Sequence, residues 1–265
     1  MTQFFQIFCK THLHAGSGDS NYGVIDKLVQ RDPANKLPCI YASSLKGAFR
    51  EFYNAEPRTI SDDDIFGGGE SSKGKIIFHQ AHLLSTPVRS NLFPYFNLVA
   101  PVVIDDLIDY LQLLQQPQNT QLITELTALK SCMLANRAVV FGMPVSNLKI
   151  EDYEGANIVS NTAVLSDAVK QFFGNRIALV DDARFLEMVS DYHLPVIARN
   201  CLENGQSSNL WYEQIIPRAS RFFFAVSDNA GESSPDFFNL FNTNQLVQIG
   251  ANATIGYGLC EISKL

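Results

Sequence analysis

The chain has 265 residues, 46% of them hydrophobic, and a formal net charge of −7 with a pI near 5.2. That length and apolar content can bury a core as one domain with insertions or as two small ones, which excludes a disordered or fibrous chain, and the negative balance argues against a protein that coats nucleic acid by bulk electrostatics. Five cysteines (Cys9, Cys39, Cys132, Cys201, Cys260) are scattered without a C-x-x-C pair, so neither a disulfide framework nor a zinc cluster is suggested, and with no apolar run near the ~20 residues of a membrane helix the expectation is a soluble cytoplasmic protein, not a membrane one.

In chain order, Gln3–Leu13 reads as a strand weighted by Phe4, Ile7 and Phe8. It runs into a Gly-rich loop, His14-Ala15-Gly16-Ser17-Gly18, whose glycines let a backbone approach a ligand closely. Val24-Ile25-Asp26-Lys27 and Gln30-Arg31-Asp32 follow, Asp26 being an isolated acid in an apolar-flanked run. Leu45, Ala48, Phe49, Phe52 and Tyr53 then recur at helical spacing, which predicts an amphipathic helix from Ser44 to about Asn54 with Ser43 or Ser44 as N-cap. Lys46 and Arg50 fall together off its apolar stripe. Free N–H groups at a helix start, two serine hydroxyls, and Lys46 beside Gly47 suit a phosphate; an ordinary capped helix with a solvated basic edge is the alternative. Between Asp26 and Glu51 five basic residues meet three acidic ones, a local +2 against −9 elsewhere, and screening confines each charge to about 8 to 10 Å.

Ser61–Gly69 reads as an acidic, Gly-rich loop whose adjacent Asp62, Asp63 and Asp64 point apart and are solvated rather than metal-binding. Lys75–Leu84 is a second strand, ending in Pro87-Val88-Arg89-Ser90. Pro101–Gln115 is an amphipathic helix, broken at Gln116–Thr120 and followed by another over Gln121–Cys132. Glu151–Thr162 is loop or irregular strand, Ile177–Val180 a short strand, and Asp181 or Asp182 caps a helix to about Tyr192. His193–Asn200 is extended and carries Arg199, and Glu203–Ser208 is a hairpin turn into Asn209–Glu213. Trp211 there either stacks on a base or anchors the strand in the core. Phe222–Val226 is a core strand. Near the C-terminus Ile249–Gly258 places Gly250, Gly256 and Gly258 around Asn252 and Thr254 before a last strand, Leu259–Ile262; glycine there serves a tight turn or the close approach of a sugar-phosphate backbone.

Six segments in order, LHAGSG, GVID, IYASSLKGAFR, KIIFHQAHLLSTPVRS, LWYEQIIP and IGANATIGYGL, resemble the RAMP superfamily of CRISPR proteins, and within it the repeated backbone subunit of the type III-B (Cmr) effector complex. The likeness runs from Thr11 to Ile262 and is looser between about Asp105 and Asn175. It implies an α+β fold: a single RAMP domain over 1–265 with a ferredoxin-like (RRM-like) core, long insertions at about 55–74 and 91–176, and a projecting β-hairpin thumb at about 181–217. The implied partners are guide RNA (crRNA), target RNA, further copies of the chain in a filament and other RAMP-type subunits.

In the resembling subunits an aspartate at the position of Asp26 cuts target RNA. Such cleavage needs the 2′-OH aligned with the phosphorus and something to manage its proton or hold a divalent cation. An ordinary aspartate is ionised at neutral pH, so the expected role is to orient the hydroxyl or hold Mg2+ or Mn2+ through water. His14 is the nearest candidate acid–base helper, His12 is read as a structural hydrogen-bonding residue, and His79, His82 and His193 show no usable pattern. The candidate RNA contacts are Gly16, Gly18, Arg31, Ser43, Ser44, Lys46, Gly47, Arg50, Arg89, Arg199, Trp211, Gly250, Asn252, Thr254, Gly256 and Gly258. Two other readings stand beside the target-cleaving one: a purely structural guide-binding subunit, and a RAMP endoribonuclease that processes guide precursors. A nucleotide-binding enzyme is disfavoured, since no P-loop or strand-linked G-x-G-x-x-G is present.

Overall fold

Successive residues of the first strand are buried, not alternate ones, which is the pattern of a strand covered on both faces: six of the eight residues in Thr2–Cys9 are buried. The computed structural model describes residues 2–18, 23–57, 60–68, 73–113, 119–229 and 235–265, and the chain forms two compact units, Met1–Ala81 with Asp191–Leu265, and His82–Ser190. In the first unit Thr2–Cys9 is central, flanked by Arg221–Asp228 and by Leu259–Lys264, which in turn pairs with Gln245–Gln248. All these pairs are antiparallel, and Ile76–Phe78 adds to the end of Arg221–Asp228.

The helix Ala42–Asn54 buries Leu45, Phe49 and Tyr53, one residue per turn of a single face. Phe49 lies 5.3 to 6.2 Å from the rings of Phe78, Phe224, Phe237 and Phe241, so the helix is fixed on the unit by an aromatic cluster. Phe237 comes from a short helix, Pro235–Asn239, that the sequence reading does not contain. The cap expected at Ser43 or Ser44 is corrected: the N-cap is Tyr41, in extended conformation and without a side-chain cap bond. Ser44 is instead engaged by Gln30, whose amide donates to its hydroxyl at 2.9 Å.

The acidic insert is also corrected from loop to helix. Asp62–Phe66 is helical because the Ser61 hydroxyl caps the Asp63 N–H at 3.3 Å and three aspartates occupy a first turn, where negative charge is favoured. Gly69 lies outside the described residues. The strand expected over Lys75–Leu84 divides into Ile76–Phe78 and Ala81–Val88, with Gln80 turned to Asp32 at 2.6 Å.

Val196–Glu203 and Gln206–Gln214 form a two-stranded sheet of their own. Asn204 and Gly205, at φ 51° and 79°, supply the two positive angles of its tight turn. This hairpin is narrower than the expected 181–217, since Asp182–Met188 is a helix of the second unit, capped by Asp181.

The second unit runs over His82–Ser190. It has a sheet because its short strands pair with one another: Phe96–Val99 runs parallel to Ile177–Leu179, which is antiparallel to Ala138–Phe141, itself parallel to Ile158–Asn161. The helices Pro101–Leu113 and Asn119–Ser131 follow the predicted pair closely, with Leu114, Gln115 and the break at 116–118 outside the described residues. Among the described residues no helix is long and apolar enough to cross a membrane.

Candidate functional site

Asp26 opens an irregular strip, residues 26–31, held on both edges. On one edge the Gly-rich loop bonds to it, Ser17 N–H to Leu28 O at 2.9 Å and Gln30 N–H to Ala15 O at 2.8 Å. On the other lies the root of the hairpin: the N–H groups of Asp26 and Lys27 donate to Tyr212 O at 3.1 Å, and Gln214 N–H donates to Lys27 O at 2.9 Å. The half-exposed Asp26 carboxylate accepts the Tyr212 N–H through Oδ2 at 2.7 Å. Loop and hairpin thus fix both the backbone and one oxygen of the catalytic candidate.

Next to it, Glu213 is 1% exposed and gathers four partners. Lys27 Nζ is 3.0 Å away, Trp211 Nε1 2.8 Å, Asn252 Nδ2 2.7 Å and Arg199 Nη1 3.3 Å. Burial pushes its carboxyl up, but the hydrogen bonds from Trp211, Lys27 and Asn252, with the charge of Lys27, outweigh burial and hold it at about 2. Lys27 and Arg199 also lie over the Trp211 ring, at 5.3 and 5.6 Å. Trp211 is half-buried by this arrangement, between the two readings left open for it.

His14 is 3% exposed, and its Nδ1 lies 2.7 Å from Gln214 O. A carbonyl only accepts, so Nδ1 carries the proton. Its backbone carbonyl accepts from Ala251 N–H at 2.9 Å, and a Cβ on Gly250 would stand 2.5 Å from that oxygen. A Cβ on Gly258 would meet Ile249 O at 2.0 Å. The protein's own backbone therefore accounts for glycine at 250 and 258, whereas nothing lies near Gly18 or Gly256. His12 accepts from Arg218 N–H through Nδ1 at 3.2 Å.

The profile of the RAMP superfamily matches residues 7–261. The chain belongs to the RAMP superfamily. A Pyrococcus furiosus relative, the CRISPR system Cmr endoribonuclease Cmr4, is 27% identical over 97% of this chain and 93% of its own length. A Saccharolobus solfataricus CRISPR system CMR subunit Cmr4 is 26% identical over 98% of this chain and 96% of its own. Among solved structures, a subunit of the type III-B Cmr-beta complex bound to cognate target RNA shares the fold at a TM-score of 0.82 and 21% identity, over 100% of this chain and 97% of that one.

On this RAMP chain the expected RNA contacts divide into exposed and engaged groups. Ser43, Lys46, Gly47 and Thr254 are exposed, the first three on the start of the helix Ala42–Asn54. Arg31 is tied to Asp191 at 2.7 Å and to Lys36 O at 2.8 Å. Arg50 pairs with Asp62 at 3.4 Å, bonds to Gly67 O and stacks on Phe66, so the basic pair read from the sequence provides one exposed cation, Lys46. In the second unit Arg89 is exposed and doubly bonded to Glu151, which raises its already high pKa.

Sequence reasoning missed Gln30, Tyr212, Glu213 and Gln214. Glu213 carried a signal, being a lone acid between Tyr212 and Ile215, where burial demands partners; for the two glutamines there was none. As for a metal, among the described residues no group of three or more His, Cys, Asp or Glu could hold one. Asp26, with Oδ2 committed to Tyr212, has one carboxylate oxygen left to offer, which does not fit an all-protein cage.

Proposed function

We propose that this RAMP protein is the repeated backbone subunit of a type III-B CRISPR effector complex, which holds a guide RNA along a filament and cuts the paired target RNA at regular intervals with Asp26 as catalytic residue. Kinship with the Pyrococcus furiosus endoribonuclease over nearly the whole chain supports the class. The observation that carries the residue assignment is the Asp26 carboxylate, half-exposed at the hairpin root and fixed through one oxygen by the Tyr212 N–H. We read the first unit as the ferredoxin-like core and the hairpin as its thumb.

In this reading the guide lies along the exposed start of the helix Ala42–Asn54, and the target crosses the hairpin root. The second Asp26 oxygen accepts a hydrogen bond from the target 2′-OH and turns that oxygen in line with the phosphorus. Attack then forms the 2′-O–P bond as the P–O5′ bond breaks, leaving a 2′,3′-cyclic phosphate. The hydroxyl proton passes to solvent water at the open face of the site, and the departing 5′-oxygen takes up a proton from water. A hydrated Mg2+ or Mn2+ at Asp26 would neutralise charge developing on the phosphate oxygens. Alignment of one group commonly contributes 10²-fold or more in rate, enough for one fixed carboxylate to decide activity. Processing of guide precursors is disfavoured because His14, the one histidine in the Gly-rich loop, is buried with its ring bonded to the backbone. Affinity capture of the chain from its host tests the class: a short discrete RNA and other RAMP-type proteins should copurify, and recovery of the chain alone, free of RNA, would refute it.

A further inference from the structure

We propose that Gln30 is a positioning residue that sets the polarity of the Ser44 hydroxyl, so that its proton is presented outward to a phosphate of the bound RNA; this rests on the guide-RNA reading above. Gln30 is 5% exposed. Its Nε2 donates to Gly16 O at 3.0 Å and to Ser44 Oγ at 2.9 Å, while Oε1 accepts the Tyr41 N–H at 2.7 Å. Its backbone N–H donates to Ala15 O at 2.8 Å and its carbonyl accepts from Cys39 N–H at 3.0 Å. One side chain thus joins the Gly-rich loop, the Asp26 strip and the start of the helix.

The amide orientation is fixed at both ends. Gly16 O only accepts and the Tyr41 N–H only donates, so the amide cannot be reversed. It follows that Gln30 donates its second proton to Ser44, whose oxygen accepts. A hydroxyl has one proton, and this one has no acceptor toward Gln30. Among the described residues no other hydrogen bond involves the Ser44 hydroxyl, and Ser44 lies in the first turn beside the exposed Ser43, Lys46 and Gly47. Accepting from Gln30 also polarises the Ser44 O–H and makes it a stronger donor. A phosphate oxygen, which only accepts, is the complementary ligand.

The test is a double-mutant cycle on the full-length chain with a labelled single-stranded RNA. Ser44→Ala should weaken binding about tenfold, the scale of a hydrogen bond to a charged group, and leave the log–log salt slope unchanged because a neutral hydroxyl releases no counterion. In Gln30→Glu the carboxylate accepts from Ser44 and turns its proton inward, so adding Ser44→Ala should then cost less than about twofold. An equal cost of Ser44→Ala in both backgrounds would overturn the role of Gln30 while leaving RNA binding intact; failure of the wild-type chain to bind RNA would instead overturn the guide-RNA reading on which it rests. Should Gln30→Glu not fold, the Gln30 side-chain amide resonance decides: it should move when RNA is added to the wild-type chain and stay fixed in Ser44→Ala, and no movement in the wild type overturns the assignment.

Discussion

Glu213 carries a negative charge at 1% exposure, so its partners matter more than its surroundings. With its pKa lowered from 4.5 to about 2, the carboxylate contributes stability that is fully present above about pH 4.5 and is lost as pH falls through about 2; the depression corresponds to about 3 kcal/mol. Glu213→Gln should therefore flatten the stability-versus-pH curve between those limits relative to the wild type, read as the melting temperature at each pH. Parallel curves would mean that the partners do not hold its charge in solution. A second residue contrast concerns glycine. Gly250 and Gly256 both have positive φ, 79° and 83°, but only at 250 does a Cβ meet backbone, 2.5 Å from His14 O. Gly256→Ala should cost about 1 kcal/mol for the strained angle alone, and Gly250→Ala more than about 3 kcal/mol, both measured by urea unfolding.

The helix Ala42–Asn54 presents two cations with different duties. Lys46 is exposed, so Lys46→Ala should weaken RNA binding alike for unrelated sequences and reduce the log–log salt slope by about one, with little change in stability. Arg50 is held by Asp62, Gly67 and Phe66, and Arg50→Ala should lower stability by roughly 1 to 2 kcal/mol and leave the slope nearly unchanged. Sequence spacing showed that both residues lie off the apolar stripe, but not that the acidic segment folds back on one of them. That limit is general here. The helices at 42–54, 101–113 and 119–131 are legible because their apolar periodicity extends over several turns, and the Asn204-Gly205 turn because its two residues tolerate positive φ. Phe96–Val99, Ala138–Phe141 and Gln245–Gln248, four residues each, are too short to show a period. Asp26 was singled out by resemblance, whereas its fixing by Tyr212 and the gathering of Lys27, Arg199 and Asn252 on Glu213 join residues up to 186 positions apart.

At the scale of the whole molecule, a protein of net charge −7 that presents Lys46 at its helix start has little basic surface with which to hold a long RNA. Head-to-tail copies would align that small patch along one strand, so affinity should rise steeply with RNA length, and a single copy that binds a short RNA tightly and gains nothing from added length would argue against a filament. In the proposed function, catalysis then rests on a single carboxylate per copy. Asp26→Asn in every copy of the reconstituted effector complex is the measurement that bears most directly on this account. Guide binding, assembly and target binding should stay close to wild type, because a neutral amide removes repulsion from an anionic ligand, while cleavage at regularly spaced target positions should fall 10²-fold or more. Cutting at the same positions and the same rate by a complex that carries Asp26→Asn in every copy would contradict the assignment of Asp26 as the catalytic residue.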